Sequence, residues 1–444
     1  MTVNTNRTDP VLSNLPSEVL LSLVRENRLG RPQGTYAVCS AHPAVLDAAV
    51  AQSLHDSSML HVESTSNQVN QFGGYTGTTP AEFAAMVRRI ANECGLPASR
   101  VLLGADHLGP YCWRAQPAQE AMAHASRLAS DSVLAGYQKI HLDASMTCAG
   151  DPAALPAAIV AKRTAQLCRA AEDSWATLPS GWPAPLYVIG TEVPVPGGEV
   201  EEGLRPTPTT LADLEESLEE FSAAFHAFGL DSAWERVIGM VVQPGVEFGD
   251  TSVFEYNRRD AAHLVARLPR NPELVYEAHS TDYQPSTSLR QMVEDHFGIL
   301  KVGPWLTFAY REAVFALGAM EIEIPECRQA ASRVREALEA RMLIEPAHWR
   351  PYYRGDQLQQ QFARAFSFSD RCRYYWPQPQ VQQQVDRLLA NLNGPLPLTL
   401  LSQYLPIAYD AIREGRIPNS APAIICFHIQ RVLEVYASAC GHQD

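Results

Sequence analysis

The chain has 444 residues, 46% hydrophobic and 19% charged, which is the balance of an ordinary globular enzyme with apolar material for a sizeable core. Its formal charge of −14 gives a surface field that repels nucleic acid and anionic membrane, so a basic nucleic-acid-binding module is excluded. The polar start lacks a basic-then-apolar leader, no apolar run is long enough to span a bilayer, and nine cysteines occur without a C-x-x-C pair. A cytoplasmic protein with reduced thiols and no membrane partner is expected.

A leading helix is expected over Leu15 to Asn27, closed by Gly30 and Pro32. There follows a recurring unit, a short apolar run ending in polar or acidic residues and then a helical pattern. The runs are Thr35 to Ser40, Leu60 to Glu63, Val101 to Asp106, Tyr137 to Asp143, Leu186 to Glu192, Val237 to Gln243, Leu274 to His279 and Leu300 to Trp305. Between and after them, helices are expected over Pro43 to Leu54, Pro80 to Cys94, Ala115 to Ala135, Pro152 to Glu172, Leu211 to Phe228, Asp260 to Leu268, Ser286 to Phe297 and Phe308 to Leu317. Thr79 and Glu82 mark the start of the second of these.

Strands alternating with helices in this number fit an α/β fold of the (β/α)8 TIM-barrel type. An open doubly wound sheet has the same local pattern, but only a barrel gathers all the polar strand endings at one mouth. Beyond Met320 the pattern becomes wholly helical: Cys327 to Met342, Asp356 to Phe366, Gln380 to Leu392, Pro397 to Glu414 and Ala421 to Ala439. The organisation read from this is a helical segment over 1–33, a barrel over 34–320 and a helical C-terminal extension over 321–444.

No G-x-G-x-x-G follows a strand, and neither G-x-x-x-x-G-K-S/T nor H-E-x-x-H occurs, so no NAD, ATP or zincin chemistry is expected. The only lysines are Lys139, Lys162 and Lys301. Lys162 falls on a helix and the other two lie early in their strands, so imine chemistry, pyridoxal phosphate included, is disfavoured against metal chemistry.

The candidates for that chemistry sit at strand ends. Asp106 and His107, flanked by Gly104, Gly109 and Pro110, suit a proton-transfer base beside a metal ligand. His279 ends the seventh run and pairs with His107 as a second nitrogen ligand. Gln243, Glu247, Asp143 and Glu192 are all eligible as a third, and Zn²⁺ or Mn²⁺ suits such a mixed set. Alternation puts His141 and Asp143 on one face; His141 is read as a core histidine and Asp143 as the functional group. Glu192 stands in a turn shaped by Pro194, Pro196, Gly197 and Gly198, while Glu199 reads as a solvated charge. Asn67, Gln68, Asn70 and Gln71 read as a substrate-facing amide loop. Barrels often grip phosphate after strands seven and eight, which here carry Ser280, Thr281, Trp305 and Thr307. Arg371 to Trp376 clusters cations with aromatics, which suits an interface more than an anion clamp.

Several long segments carry a resemblance: Cys39 to Pro43, Glu63 to Gly77, Gly104 to Pro110, His141 to Ser145 and Gly190 to Glu199. On these the chain resembles the GatZ/KbaZ family of tagatose-bisphosphate aldolase subunits, related in turn to class II aldolases, which are metal-dependent (β/α)8 barrels. The resemblance implies roles for Asp106 as catalytic aspartate and for His107 and His279 as metal histidines, with Asp143 and Glu192 at further acidic positions. It departs where the aldolases have a metal histidine before glycine and this chain has Gln243-Pro244-Gly245, with Gln243 and Asp143 kept among the metal-ligand candidates. The aldolases' Gly-Gly-Ser-Gly phosphate stretch is replaced by Ser280-Thr281-Asp282-Tyr283, so Ser280, Thr281 and Asp282, with Glu63 and the amide loop, are the expected substrate contacts.

Two functions are implied. One is a metal-dependent 4-epimerase interconverting D-tagatose 6-phosphate and D-fructose 6-phosphate by retro-aldol and aldol chemistry, with Asp106 or Glu192 taking the C4 hydroxyl proton. The other is a non-catalytic subunit that stabilises a class II D-tagatose-1,6-bisphosphate aldolase. The epimerase is placed first, because a scaffold has no need of Asp106, His107, Asp143, Glu192 and His279 at one mouth. The expected partners are a sugar phosphate, such an aldolase and further copies of the chain.

Overall fold

The structure, a computed structural model, describes residues 15–190, 205–266, 268 and 274–442. Its strands are β1 (Thr35–Val38), β2 (Leu60–Thr65), β3 (Val101–Leu108), β4 (Lys139–Leu142), β5 (Leu186–Ile189), β6 (Val237–Val241), β7 (Glu247–Phe248), β8 (Val253–Phe254), β9 (Val275–Ala278) and β10 (Ile299–Val302). All but β7 and β8 pair in parallel in the order β1-β2-β3-β4-β5-β6-β9-β10, and β10 returns to β1 to close a barrel. The expected (β/α)8 barrel with C-terminal helices is therefore present.

The expected strands all form. Leu300 to Trp305 stops at Val302 because Pro304 opens a helix, Pro304–Glu323, that is longer than its apolar pattern suggests. The helix over Pro397 to Glu414 divides into Leu398–Tyr404 and Pro406–Arg413. Pro406 has no N–H to continue the ladder and biases Leu405 away from the helical region. The hairpin of β7 and β8 was not anticipated; its strands of two residues are too short for any period to show. In the helix Pro80–Glu93 the Thr79 hydroxyl accepts from the Glu82 N–H while the Glu82 carboxylate accepts from the Thr79 N–H, the reciprocal cap its sequence promises.

Alternation along each strand sends one set of side chains into the barrel. Near the strand N-termini this set is apolar: Leu102, Leu186, Val188, Ile238, Val275 and Ile299 pack with Leu20 and Val24 from the helix Pro16–Arg28. That helix plugs the floor, and burying each of its two anchors is worth about 1.5–3 kcal/mol. One step further along the strands the lining turns ionic. Glu63 accepts from Lys139 at 2.6 Å, from Lys301, and from His61 Nε2 at 2.7 Å, and Lys139 also lies 2.6 Å from Glu277. All five side chains are buried.

The extension returns to the barrel. The helix Ala421–Ala439 packs on the helices Pro43–His55, Ser286–Glu294 and Pro304–Glu323 and touches β1. Just beyond it the Cys440 carbonyl accepts from the Gly34 N–H, one residue before β1 begins. No helix among the described residues is long and apolar enough to cross a membrane, and all nine cysteines are free thiols.

Candidate active site

Asp106 and His107 are consecutive, so in a regular strand they would face opposite ways. Two departures bring both to the mouth. His107 takes a left-handed conformation, φ +51°, and the β3–β4 register slips between Ala105 and Leu108. Gly109 makes the slip possible, because a Cβ there would lie 1.5 Å from the Asp143 carbonyl oxygen. Gly109→Ala is accordingly expected to force β3 and β4 apart at a cost of about 3 kcal/mol or more, measured by urea unfolding; native stability in this variant would refute the close approach.

The polar side chains of β3, β4, β9 and β10 converge above the ionic layer. His141 Nδ1 lies 2.9 Å from Asp106 Oδ1, and Lys301 Nζ lies 3.0 Å from the same oxygen. His107 Nδ1 lies 3.0 Å from Asp143 Oδ2, which leaves its Nε2 3.6 Å from Asp106 Oδ2. His279 Nε2 lies 3.1 Å from Glu277 Oε1, and its ring stands edge-on to His107, centroids 4.8 Å apart. Burial would raise the Asp106 carboxyl, but His107, Lys301 and His141 together hold it well below the usual carboxylate range. Burial likewise works against the Glu63 carboxylate, and Lys139 and Lys301 bring it down to about 2. His279 is pushed down to about 4 by burial, with Glu277 opposing, and stays neutral. His107 goes the other way, raised against burial by Asp106 and Asp143.

Ligand atoms of Asp106, His141, Glu277 and His279 all lie within 4.8 Å of one another. With Nδ1 turned to Asp106, His141 keeps a buried Nε2 that has no hydrogen-bond partner. The His107 N–H lies 3.3 Å from the same Nδ1; with that nitrogen protonated toward the carboxylate, Nε2 would carry the lone pair of a metal-ligating imidazole. The residues therefore fit a divalent cation, and His141, His279 and the Glu277 carboxylate, with Asp106 alongside, suit Zn²⁺ or Mn²⁺ better than Mg²⁺.

A cavity of about 830 Å³ opens over this cluster. Asp106, His107, His279 and Lys301 line it from the barrel, and Arg373, Tyr374, Gln382 and Asp386 line it from the extension.

Against known proteins, a sequence model of the D-tagatose-1,6-bisphosphate aldolase subunit GatZ/KbaZ-like family matches residues 20–441. The chain belongs to the GatZ/KbaZ-like family. It is 47% identical over 424 residues to the D-tagatose-1,6-bisphosphate aldolase subunit GatZ of Klebsiella pneumoniae, covering 95% of this chain and 99% of that protein. A crystal structure from Sinorhizobium meliloti, described as a probable tagatose 6 phosphate kinase, superposes with a TM-score of 0.83 at 42% identity, covering 92% of this chain and all of that one.

In this family member the other expected site residues fall in different places. Asp143 meets His107 and Ser145 and so acts through the His107 ring. Gln243 is not in the cluster: its amide oxygen accepts from the Gly245 and Val246 N–H groups and shapes the turn after β6. Glu63 lies below the cavity among the lysines. Of the amide loop, Asn67 and Gln68 line the cavity. Asn70 instead accepts from the Phe72 and Gly74 N–H groups, and Gln71 donates to the His124 carbonyl. Thr281 is spent on the Lys301 carbonyl and the Tyr436 hydroxyl. Ser280 and Asp282 do line the cavity. Glu192, the second catalytic candidate, and Glu199 lie outside the described residues.

Sequence reasoning passed over Glu277, read His141 as core, and placed Lys301 below the reach of the mouth. Glu277 stands two residues before His279, so alternation alone puts both on the inner face, and that signal was available.

Asp282 sits at the start of the helix Pro304–Glu323, where Oδ1 accepts from the Gly303 N–H at 3.0 Å and the Trp305 N–H at 2.8 Å. Burial pushes its carboxyl up from 3.8 to about 6, with these N–H groups and Arg373 opposing. Between those two values the folded chain holds a proton the unfolded chain has released, so the native state loses stability as pH rises across that window. Asp282→Asn keeps the acceptor without the charge. It is expected to gain on the native protein from pH 4 to 6 and to stand about 3 kcal/mol above it by pH 7, as urea melts at successive pH values would read; a difference independent of pH would count against the assignment.

Proposed function

We propose that this protein interconverts D-tagatose 6-phosphate and D-fructose 6-phosphate by inverting C4. The observation that carries this reading is the convergence of Asp106, His107, His141, Glu277 and His279 beneath one cavity, with His141 Nε2 unpartnered. A divalent cation held by His141, Glu277 and His279, with Asp106 alongside, would supply Lewis-acid polarisation of the substrate oxygens.

The chain's own groups do the rest. Asp106 remains a carboxylate throughout the physiological range and takes the proton of the C4 hydroxyl. The C3–C4 bond then opens, its electron pair staying with C3 while C4 becomes an aldehyde. After the aldehyde turns over, C3 attacks its opposite face and Asp106 returns the proton to the new C4 oxygen. No atom is gained or lost. The neighbouring His107 and Lys301 hold Asp106 in place. Glu192 is retained in the proposal as a second proton carrier.

The test is incubation of the purified chain alone with D-fructose 6-phosphate, with EDTA and then with Mn²⁺ or Zn²⁺ restored. Tagatose 6-phosphate that appears only with metal is the expected result, and none under any metal would overturn the reading.

A second reading, a subunit that stabilises a class II tagatose-bisphosphate aldolase, is favoured by the name of the Klebsiella relative and by a surface feature. Leu358, Phe362 and Phe366 recur at helical spacing on one exposed stripe, with Leu343 and Ile344 exposed on the adjoining helix. Exposed apolar side chains on two packed helices suit a protein partner. This reading expects aldolase activity to rise on mixing with such an aldolase, equally for the native chain and for Asp106→Asn.

A further inference from the structure

A barrel commonly holds phosphate at the loops after its last two strands, on the N–H groups that open the following helix. Here that place is taken. The N–H groups of Gly303 and Trp305 are both bound by Asp282, a carboxylate of the protein itself. A phosphorylated substrate must find its counter-charge elsewhere in the same cavity.

Two cations line the cavity among the described residues, Lys301 and Arg373. Lys301 is already met by Asp106, Glu63 and Glu277. Arg373, nearly buried, forms no ion pair with any described carboxylate. Its Nη1 donates to the carbonyls of Ser369 and Asp370 and its Nη2 to the Tyr374 hydroxyl. Its charge acts on Asp282 and Asp370 without closing on either carboxylate, so a further anion in the cavity can still pair with it.

The mount is rigid. Asp370 turns the chain at φ +44° and is fixed by the buried Arg311 at 3.0 Å and by Thr307 Oγ1 at 2.6 Å. Tyr374 stacks flat on His348, centroids 4.5 Å apart, and meets Tyr75 edge-on. Arg371, two residues earlier, is also buried, but it lies over Tyr352 and does not line the cavity.

We infer that Arg373, supplied by the helical extension, binds the phosphate group of the sugar substrate, in place of the occupied helix terminus. This rests on the sugar-phosphate reading of the same site. It also gives the Arg371–Trp376 cluster the anion-clamp role that the sequence alone ranked second.

Calorimetric titration separates the two claims because it needs no turnover. The native chain is titrated with D-fructose 6-phosphate, D-fructose and inorganic phosphate, and compared with Arg373→Gln and Arg373→Lys. Arg373→Gln is expected to lose roughly 100-fold in affinity for the phosphate ester and to leave D-fructose binding within about threefold; Arg373→Lys should recover part of the loss. Ester affinity unchanged in Arg373→Gln would overturn the inference. Should that variant not fold, the native chain decides: inorganic phosphate must compete with the ester, and a failure to compete overturns the inference as well. Arg373-dependent ester binding without any epimerisation would uphold this site while removing the epimerase.

Discussion

Asp106→Asn is expected to lower the interconversion of the two ketose 6-phosphates by roughly 10²- to 10⁴-fold, the range of a lost general base. The amide keeps the size of the carboxylate and an oxygen that can still accept from His141 and Lys301, which lie 2.9 and 3.0 Å from Asp106 Oδ1. What it cannot do is receive the C4 hydroxyl proton. Because His141, Glu277 and His279 remain, metal content should stay near the native value, and elemental analysis beside progress curves reads both quantities. Turnover within about threefold of native at equal metal content would take Asp106 out of the chemistry.

The largest expected effect on stability is at Lys139. Its ammonium is fully buried, 2.6 Å from Glu63 and 2.6 Å from Glu277, so Lys139→Met leaves two carboxylates inside the barrel with one cation fewer. Breaking a buried ion pair from one side costs about 3–5 kcal/mol, since the abandoned charge cannot be rehydrated. Urea unfolding should show a loss of that size. Adding Glu277→Gln to Lys139→Met should return part of it, because the two residues are in contact and their effects do not add. A loss below about 1 kcal/mol in the single variant would mean that water reaches the ionic layer.

The barrel was legible because each of its units repeats the same two periods, and the site because strand endings in a barrel converge. The residues that went astray did so through local hydrogen-bond needs that spacing does not express. Gln243 and Asn70 look like ligands and substrate contacts, yet each is consumed by two N–H groups of its own turn. In the case of Asn70 the demand comes from Gly73 and Gly74, both at positive φ, where a Cβ on Gly74 would lie 2.4 Å from the Gln68 carbonyl oxygen. His141 was undervalued for a different reason. Its buried position is right for a core residue, and only the free Nε2 distinguishes it. The Arg371 to Trp376 cluster was visible in the sequence, but its place at the mouth was not, since nothing local says that the extension folds back there.

That folding back sets an order of events during synthesis. Residues 421–439 leave the ribosome well after β10, on the order of ten seconds later at ordinary elongation rates. Until then Thr281 lacks the Tyr436 hydroxyl that fixes it, and the Gly34 N–H lacks its acceptor at Cys440. The apolar flank formed by the helices Pro43–His55 and Ser286–Glu294 stays uncovered for the same interval. The nascent barrel thus passes through a stage in which its strands exist and its closing helix does not, and a chaperone would meet it there.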